Sequence, residues 1–375
     1  MIKKYFQIGL FFKVIIILLL TILACEGMDI DVSVPEGNNQ NGVESPKSSQ
    51  HFGEEWINVY FTSPKEKDDG DHQGGIDVHL IRAIEEAQEK IDLALFETDL
   101  ESVNEALLAA VNRGVKIRMV VDSENWEDDE EMYALLKKLK QAGVPIVGDE
   151  RSAFMHNKFV IFDDELVLTG SWNVTHNGTY RNNNNAVYIQ SSELAKNYTT
   201  EFNEMFEKEL FGMRSPSDTP HPILTIQGTR LETYFAPEDK VADRIVAELK
   251  KAKNNIRFMA FSFTEDSIGE AVIEQAKNGV DVQGIFEKRG SETKYSEFGR
   301  MKKKKLNVLQ DGNRYILHHK TFIIDDEIVI TGSFNFSKNA NKNNDENILI
   351  IDNKKIAGMF VAEFTKLYDL AKSAK

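Results

Sequence analysis

The stretch His-Asn-Lys-Phe-Val-Ile-Phe-Asp at residues 156–163 has a counterpart, His-His-Lys-Thr-Phe-Ile-Ile-Asp, at residues 318–325. Both have the pattern His-x-Lys-x4-Asp, and both are followed by Gly-Ser-aromatic-Asn, at residues 170–173 and 332–335. The first His and the last Asn are 17 residues apart in each copy. Because the chain has only eight histidines, the two copies predict two equivalent functional segments.

The repeat extends well beyond the two motifs. Matching segments occur at residues 57–61 and 231–235, 80–90 and 241–253, 91–96 and 256–261, 116–121 and 281–286, and 193–209 and 354–372. In both halves a helix-like stretch ends at a glycine, Gly114 or Gly279, which suits a helix C-cap. The alternation of strands and helices predicts an α/β fold. We expect two tandem α-β-α sandwich domains, related by pseudo-twofold duplication, with one active site at their interface.

Composition divides the chain into five segments. Residues 1–24 are predicted to be a signal peptide, and residues 25–54, rich in Asn, Gly, Ser and Glu, a flexible tether. Residues 213–228 contain three prolines and are predicted to be a linker. The linker separates an N-terminal domain at residues 55–212 from a C-terminal domain at residues 229–375.

The doubled motif resembles the signature of the phospholipase D superfamily, and the resemblance covers residues 55–372. Two motifs in one chain are similar to the bacterial phospholipase D and cardiolipin synthase group, whereas the one-motif nucleases of the superfamily pair their motifs by dimerising. The resemblance implies a phosphodiester hydrolase with a phosphohistidine intermediate. The residues implied for catalysis are His156, Lys158, Asp163, His318, Lys320 and Asp325. Those implied for phosphate binding and support are Ser171, Asn173, Asn184, Ser333, Asn335 and Glu346.

Strand geometry refines these roles. Residues 159–162 are β-branched or aromatic and predict a strand, along which side chains alternate between faces. His156 and Lys158 therefore share one face, while Asp163 points the other way. We expect Asp163, and likewise Asp325, to support the strand end rather than to contact the phosphate.

The residue types suit phosphodiester cleavage. A histidine, with a pKa of about 6.5, acts as nucleophile, base or acid near neutrality, and the lysines supply positive charge in place of a metal ion. We therefore expect no metal and no cofactor. By analogy with the family, His156 is the nucleophile and His318 the acid, an order that the sequence does not fix. The remaining histidines, including His319 with the wrong parity for the pocket, are predicted to be structural or on the surface.

The two copies differ at one supporting position. Glu346 lies 11 residues after Asn335, whereas Asn184 lies 11 residues after Asn173, at a place where the family usually has an acid. A carboxylate here would orient an active-site histidine and fix its tautomer. We therefore expect a functionally asymmetric site, with weakened activity as one possible consequence.

The N-terminus has the features of a bacterial export signal. Lys3 and Lys4 precede an apolar run at residues 14–24, followed by the single cysteine, Cys25. The run has 11 residues, fewer than the roughly 20 that a membrane-spanning helix needs. We therefore expect a lipoprotein anchored through a lipidated Cys25, in the cell envelope and outside the cytoplasm, with a plain transmembrane anchor as the alternative.

Charge and anchor together order the candidate functions. The formal net charge of −15 disfavours general binding to nucleic acid. We expect a monomeric phospholipase D that acts on membrane phospholipids, with a cardiolipin synthase-like phosphatidyltransferase as the first alternative. An extracytoplasmic nuclease of the same fold and a degenerate binding module are the others. The head group of the lipid is not predicted.

Overall fold

The computed structural model of the chain describes residues 52–54, 56–64, 72 and 74–374. In it, each copy of the repeat forms its own eight-stranded β-sheet, flanked by helices. Cys25, the signal segment and nearly all of the tether lie outside the described residues, so the lipid anchor stays a prediction. Within the described ranges, no helix is both long and apolar enough to cross a membrane.

The first half runs from two short strands to a long helix. Its elements are β1 (Phe52–Glu54), β2 (Ile57–Phe61), α1 (Asp77–Glu86), β3 (Lys90–Leu95), α2 (Glu101–Arg113), β4 (Lys116–Val121), α3 (Ser123–Asp128), α4 (Glu130–Gln141), β5 (Ile146–Gly148), β6 (Lys158–Phe162), β7 (Leu166–Gly170), α5 (His176–Tyr180), β8 (Asn185–Gln190) and α6 (Ser192–Lys208). The sheet has the strand order β1-β2-β8-β7-β6-β3-β4-β5.

The second half repeats this plan after a short 3₁₀ turn at Gly212–Arg214. Its elements are β9 (Ile223–Ile226), β10 (Thr229–Ala236), α7 (Val241–Leu249), β11 (Asn255–Ala260), α8 (Asp266–Lys277), β12 (Asp281–Phe286), α9 (Lys288–Ser291), α10 (Glu297–Lys303), β13 (Asn307–Gln310), β14 (Lys320–Ile324), β15 (Ile328–Gly332), α11 (Lys338–Lys342), β16 (Glu346–Asp352) and α12 (Lys354–Ser373). The strand order β9-β10-β16-β15-β14-β11-β12-β13 matches the first sheet strand for strand. The predicted duplication of an α/β fold is confirmed.

Three apolar clusters hold the layers together. One lies between the first sheet and the outer helices α1, α2 and α4, and its counterpart lies between the second sheet and α7, α8 and α10. The third is shared by both halves, with Tyr198 and Phe202 of α6 and Phe360 and Phe364 of α12 among its buried residues. Burying a side chain of this size stabilises the fold by about 1.5–3 kcal/mol. The inner helices thus fix one sheet relative to the other.

Two strands fall in segments predicted to be irregular. β1 lies in the predicted tether and β9 in the predicted linker, and each pairs with a single neighbour, β2 or β10, at the edge of its sheet. The prediction of a linker is therefore wrong for Ile223–Ile226. The prolines of this segment end at Pro222, directly before an apolar run that is free to form a strand.

Candidate active site

The two His-x-Lys segments lie at the junction of the halves, and the backbone of each is bound to the other half. The amide of His156 donates to the carbonyl oxygen of Asp345 at 3.0 Å, and the amide of His318 donates to that of Asn183 at 3.0 Å. Isolated bridges join Met155 with Asp345 and Asn183 with Leu317. Because these bonds cross the junction in both directions, each histidine is positioned by the half to which it does not belong.

The side chains of the histidines cross the junction in the same way. Nδ1 of His156 lies 2.7 Å from Oε2 of Glu346, and Nδ1 of His318 lies 2.9 Å from Oδ1 of Asn184. Both rings are buried, and the backbone of Ser333 also bonds to the ring of His156. Each ring is therefore held in place through its Nδ1 by a side chain of the other half.

Hydrogen bonds around Asn184 fix its orientation. Its Nδ2 donates to the carbonyl oxygen of Gly178 at 2.9 Å, so its Oδ1 faces His318. The same Oδ1 also accepts from the hydroxyl of Ser171 at 2.9 Å. An amide oxygen accepts but does not donate, so Nδ1 of His318 carries the proton and donates to Asn184.

The Glu346 carboxylate is equally well supported on the other side. Its Oε1 accepts from Nδ2 of Asn344 at 3.2 Å, and the hydroxyl of Ser333 bonds to the carboxylate as well. The Ser333 hydroxyl also accepts from the backbone amide of Asn347 at 2.9 Å. The predicted serines thus lie beside the residues that hold the histidine rings.

Each lysine lies between its own histidine and an aromatic ring. Nζ of Lys158 donates to the carbonyl oxygen of His156 at 2.8 Å and lies 4.7 Å from the centre of the Phe96 ring. Nζ of Lys320 donates to the carbonyl oxygen of His318 at 2.9 Å and lies 4.8 Å from the centre of the Phe261 ring. The rings also meet the histidines edge to face, with centres 4.5 Å and 4.8 Å apart. Phenylalanine therefore orients both polar groups without competing for their hydrogen bonds.

Burial governs the pKa values in the site. Desolvation, assisted by the positive charges of Lys158 and Lys320, holds the pKa of both His156 and His318 well below the usual 6.5. Desolvation also lowers the pKa of Lys158 to about 8 and that of Lys320 well below 10.5, against the pull of Glu346. Desolvation raises the pKa of Glu346 to about 8, although both lysines oppose it. An anionic phosphate entering the site would raise the lowered pKa of both lysines and so stabilise their charged form.

The motif aspartates lie away from the histidines, in the turns that follow β6 and β14. Asp163 accepts from three consecutive backbone amides, those of Gln88, Glu89 and Lys90, at 2.8–2.9 Å. Asp325 accepts in the same way from residues 253–255. Burial would raise the pKa of each aspartate, but the three amides lower it. Asp163 and Asp325 therefore anchor the start of β3 and β11, the supporting position that strand parity predicts.

The two downstream asparagines differ in their surroundings. Nδ2 of Asn173 donates to Oε2 of Glu97 at 2.5 Å, whereas its buried Oδ1 has no hydrogen-bond partner in the described residues. Oδ1 of Asn335, the equivalent residue, likewise has no partner there. Two unpaired acceptors at equivalent places are available for donors of a bound molecule.

The sequence prediction missed four side chains near the site. They are Phe96, Phe261, Glu97 and Asp122. The available signal for the two phenylalanines was their repetition directly after β3 and β11. Oδ2 of Asp122 accepts from the amide of Met155 at 3.1 Å and so holds the residue before His156. The signal for Asp122 was an acid directly after β4, repeated after β12.

His319 does not join the histidine pair. It is fully buried on the other face of the strand, where its Nδ1 lies 3.0 Å from Nδ2 of Asn185. Burial lowers the pKa of His319 to about 3. Parity had excluded His319 from the pocket, and its contacts are those of a structural residue.

Comparison with known proteins agrees with this geometry. The family model described as "Cardiolipin synthase, PLD-like domain" matches residues 80–206 and again residues 245–368. The chain belongs to this family of phospholipase D-like domains. Each of the two matches contains one His-x-Lys-x4-Asp motif, so the chain carries two phospholipase D-like domains in tandem.

Individual relatives share about half of the chain. Phospholipase D of Rickettsia prowazekii is 27% identical over 175 residues, which cover 47% of this chain and 82% of that protein. Mitochondrial cardiolipin hydrolase of Chlamydomonas reinhardtii is 26% identical over 180 residues, 42% of this chain and 81% of that protein. The phosphatidylserine synthase of Haemophilus influenzae Rd KW20 has a TM-score of 0.63 at 13% identity, covering 84% of this chain and 87% of that one. This last likeness extends the shared phospholipase D-like fold to both halves.

No cluster of three or more His, Cys, Asp or Glu residues with the geometry of a metal site occurs among the residues that the structure describes.

Proposed function

We propose that the chain is a phospholipase D-type phosphodiesterase that cleaves the head-group ester of glycerophospholipids through a phosphohistidine. The observation that carries the proposal is the pair of buried histidines whose Nδ1 atoms are held across the junction by Glu346 and Asn184. Fixing Nδ1 aims Nε2 of each ring into the site. One histidine then attacks phosphorus while the other handles the leaving group.

In the first step, Nε2 of His156 attacks phosphorus, and the bond from phosphorus to the head-group oxygen breaks. The electron pair of that bond stays on the leaving oxygen, which takes the proton from Nε2 of a protonated His318. The positive charge that the ring of His156 acquires favours the ionised form of Glu346, whose carboxylate then stabilises that charge. Asn184 offers His318 no negative charge, so the imidazolium of His318 is the stronger acid.

In the second step, the neutral His318 removes a proton from a water molecule. The water oxygen attacks phosphorus, and the bond from phosphorus to Nε2 of His156 breaks, which releases phosphatidic acid and restores the enzyme. An alcohol in place of water gives phosphatidyl transfer by the same route. The choice between the two depends on which molecule reaches His318.

Lys158 and Lys320 supply the positive charge for the phosphate. Each is buried with one N–H bound to its own histidine's carbonyl oxygen, which leaves its other N–H groups for the phosphate. Since desolvation lowers their pKa values, the negative charge of an incoming phosphodiester stabilises the charged form of both lysines. The lysines thereby do the work of a divalent ion, and we propose that turnover needs no metal.

A lipid substrate is supported by the relatives. Three of them are a phospholipase D, a cardiolipin hydrolase and a phosphatidylserine synthase. We further propose that lipidation of Cys25 holds the enzyme at the membrane surface, which would place the site beside its substrate. The net charge of −15 weighs against a nucleic acid substrate.

The test is a substrate panel with the mature protein. Mixed micelles of phosphatidylethanolamine, phosphatidylcholine or phosphatidylglycerol, and separately plasmid DNA, are incubated with excess EDTA. We expect release of a lipid head group, a phosphoenzyme on rapid alkaline quench, since the P–N bond of a phosphohistidine is labile in acid, and no nicking of DNA. A matched control is His221→Ala, which removes a histidine whose hydrogen bonds use only its backbone.

Other outcomes identify the alternatives. Nicked plasmid with intact lipid contradicts the lipid proposal and favours a nuclease. Formation of cardiolipin from phosphatidylglycerol favours a phosphatidyltransferase, in keeping with the description of the matched family model. Loss of activity in EDTA, restored by a divalent ion, contradicts the proposed role of the lysines.

A further inference from the structure

The residue that follows the supporting phenylalanine differs in charge between the halves. Glu97 follows Phe96 at the end of β3, whereas Ser262 follows Phe261 at the end of β11. The two positions are equivalent in the repeat, because each directly follows the phenylalanine whose ring contacts a lysine. One side of the site therefore carries a carboxylate that its counterpart lacks.

Glu97 lies in the site itself. Its Oε2 accepts from Nδ2 of Asn173 at 2.5 Å, and its charge acts on both catalytic lysines. In Lys158 and Lys320 alike, desolvation lowers the pKa, while Glu346 and Glu97 counteract it. A carboxylate that binds Asn173 and whose charge acts on both lysines lies beside the groups that we propose to bind the phosphate.

A second, independent feature lies next to this carboxylate. The side chain of Asn173 is only 8% exposed, and its Oδ1 has no hydrogen-bond partner in the part of the chain that the structure describes. An unpaired buried acceptor costs about 1–3 kcal/mol unless a bound molecule supplies a donor. Glu97 orients this amide by binding its Nδ2, so Oδ1 is the atom left for a ligand.

The surroundings strengthen the negative character of this side. Asp99 follows two residues later, and burial, together with the charges of Glu131, Asp129 and Glu97, raises the pKa of Asp99 to about 6. The equivalent positions of the second half are the uncharged Ser262 and Thr264, so the carboxylates of Glu97 and Asp99 have no counterpart there.

We propose that Glu97 determines substrate specificity by binding, together with Oδ1 of Asn173, a primary ammonium group on the leaving head group. This inference rests on the proposed phosphodiesterase function and narrows its substrate class to amine-bearing phospholipids, such as those with an ethanolamine head group. A primary ammonium has both the charge for Glu97 and the N–H donors for Asn173. A quaternary ammonium has the charge without the donors, glycerol has donors without the charge, and a second phosphate is repelled.

The kinetic test compares kcat/KM for phosphatidylethanolamine, phosphatidylcholine, phosphatidylglycerol and cardiolipin. We expect the wild type to prefer the ethanolamine lipid over phosphatidylglycerol by about tenfold or more, the size of one hydrogen bond to a charged group. Glu97→Gln keeps the acceptor for Asn173 but removes the charge, and Glu97→Ser copies the second half. Both should bring the ratio close to one.

Two controls distinguish a change in head-group specificity from a general loss of activity. Glu101→Ser removes an exposed acid of the same half, paired with Lys138, and should leave the ratio unchanged. Glu97→Gln should lower the hydrolysis of bis(4-nitrophenyl) phosphate, which has no amine, only by the factor seen with phosphatidylglycerol, because both substrates report the altered lysines and neither has an ammonium to lose. A ratio that Glu97→Gln leaves at its wild-type value overturns the inference while leaving the phosphodiesterase proposal intact.

A binding measurement tests the inference without turnover. In a His156→Ala background, calorimetry with glycerophosphoethanolamine and glycerophosphoglycerol should give tighter binding of the amine, and Glu97→Gln should abolish the difference. Equal binding of the two in the Glu97 protein contradicts the inference. If the amine is preferred but no phosphodiester is hydrolysed by the wild type, the proposed function fails and the specificity assignment stands.

Discussion

The two halves have the same strand order and equivalent lysine–phenylalanine contacts, yet the two histidines face different partners. Nδ1 of His156 meets the Glu346 carboxylate, and Nδ1 of His318 meets the Asn184 amide at nearly the same distance. Geometry is conserved by the duplication while charge is not. One scaffold thus holds two rings in equivalent ways beside partners of different charge, which is the asymmetry that the proposed roles of nucleophile and acid would use.

The largest expected effect comes from removing either histidine. His156→Ala and His318→Ala should each lower lipid turnover by about 10³-fold or more, since nucleophilic attack and proton donation are both lost. A substrate with a 4-nitrophenolate leaving group needs no protonation. His318→Ala should therefore release a single-turnover burst of 4-nitrophenolate, because hydrolysis of the phosphohistidine still needs His318, whereas His156→Ala should release none. A burst from His156→Ala instead would reverse the assignment of nucleophile and acid.

Glu346→Gln tests whether the charge of the residue beside His156 matters for catalysis. The amide keeps an acceptor for Nδ1 of His156 but removes the negative charge that stabilises its phosphorylated ring, so kcat should fall by about 10²-fold. Asn184→Ala, which removes only a neutral acceptor, should cost about tenfold. The measurement is kcat with the ethanolamine lipid at saturating substrate. Equal losses in the two variants would show that the partner's charge is irrelevant.

Substitution of Asp163 and Asp325 tests a feature that is the same in both halves, the binding of three backbone amides by one carboxylate. Asp163→Ala and Asp325→Ala each leave three backbone amides without their acceptor, so each should lower the free energy of unfolding by about 1–2 kcal/mol. The amides lower the pKa of both aspartates below 3.8, against the effect of burial, so this contribution is present above the unfolded pKa and lost as the pH falls through the folded pKa. Urea unfolding at pH 7 and at pH 2.5 checks both points. A loss of stability in only one of the two variants would contradict the equivalence of Asp163 and Asp325. A loss as large at pH 2.5 as at pH 7 would contradict the role of the ionised carboxylates.

Asn184→Asp gives the second half the partner of the first. A carboxylate beside His318 favours its imidazolium form and so raises its pKa. Because His318 must be protonated to act as the acid, the alkaline limb of the kcat profile should move to higher pH, while the limb for the nucleophile stays in place. A profile that moves on the acidic side instead would assign His318 the role of base. The stability of the folded protein should also fall less steeply below pH 6.5, where the wild-type histidines resist protonation.

Much of this arrangement could be predicted from the chain alone. The two motifs, their downstream serines and asparagines, and the repeat of strands and helices predicted a duplicated α/β fold, and alternation along β6 separated His156 from Asp163. Sequence spacing could not assign Glu346 to a histidine, because the partner lies 190 residues away across the junction. That pairing depends on how two sheets dock, which is set by the shared core of α6 and α12 rather than by any local pattern.

Local patterns also concealed other parts of the site. Glu97 resembles a solvent-exposed acid at a strand end, and only its hydrogen bond to Asn173 places it beside the lysines. Phe96 and Phe261 have the composition of core residues, although their rings face charged groups. Such roles follow from three-dimensional contacts between segments that are individually ordinary.

Each histidine is bound by a residue of the other half, and this arrangement affects how substitutions can alter the site. In a symmetric dimer of identical half-length chains, the residue beside one histidine and the residue beside the other would be encoded once, and any substitution would alter both together. A single chain that carries both halves encodes Asn184 and Glu346 separately. Covalent linkage therefore does more than keep the halves at a high local concentration; it lets each ring acquire its own chemical environment through a single substitution.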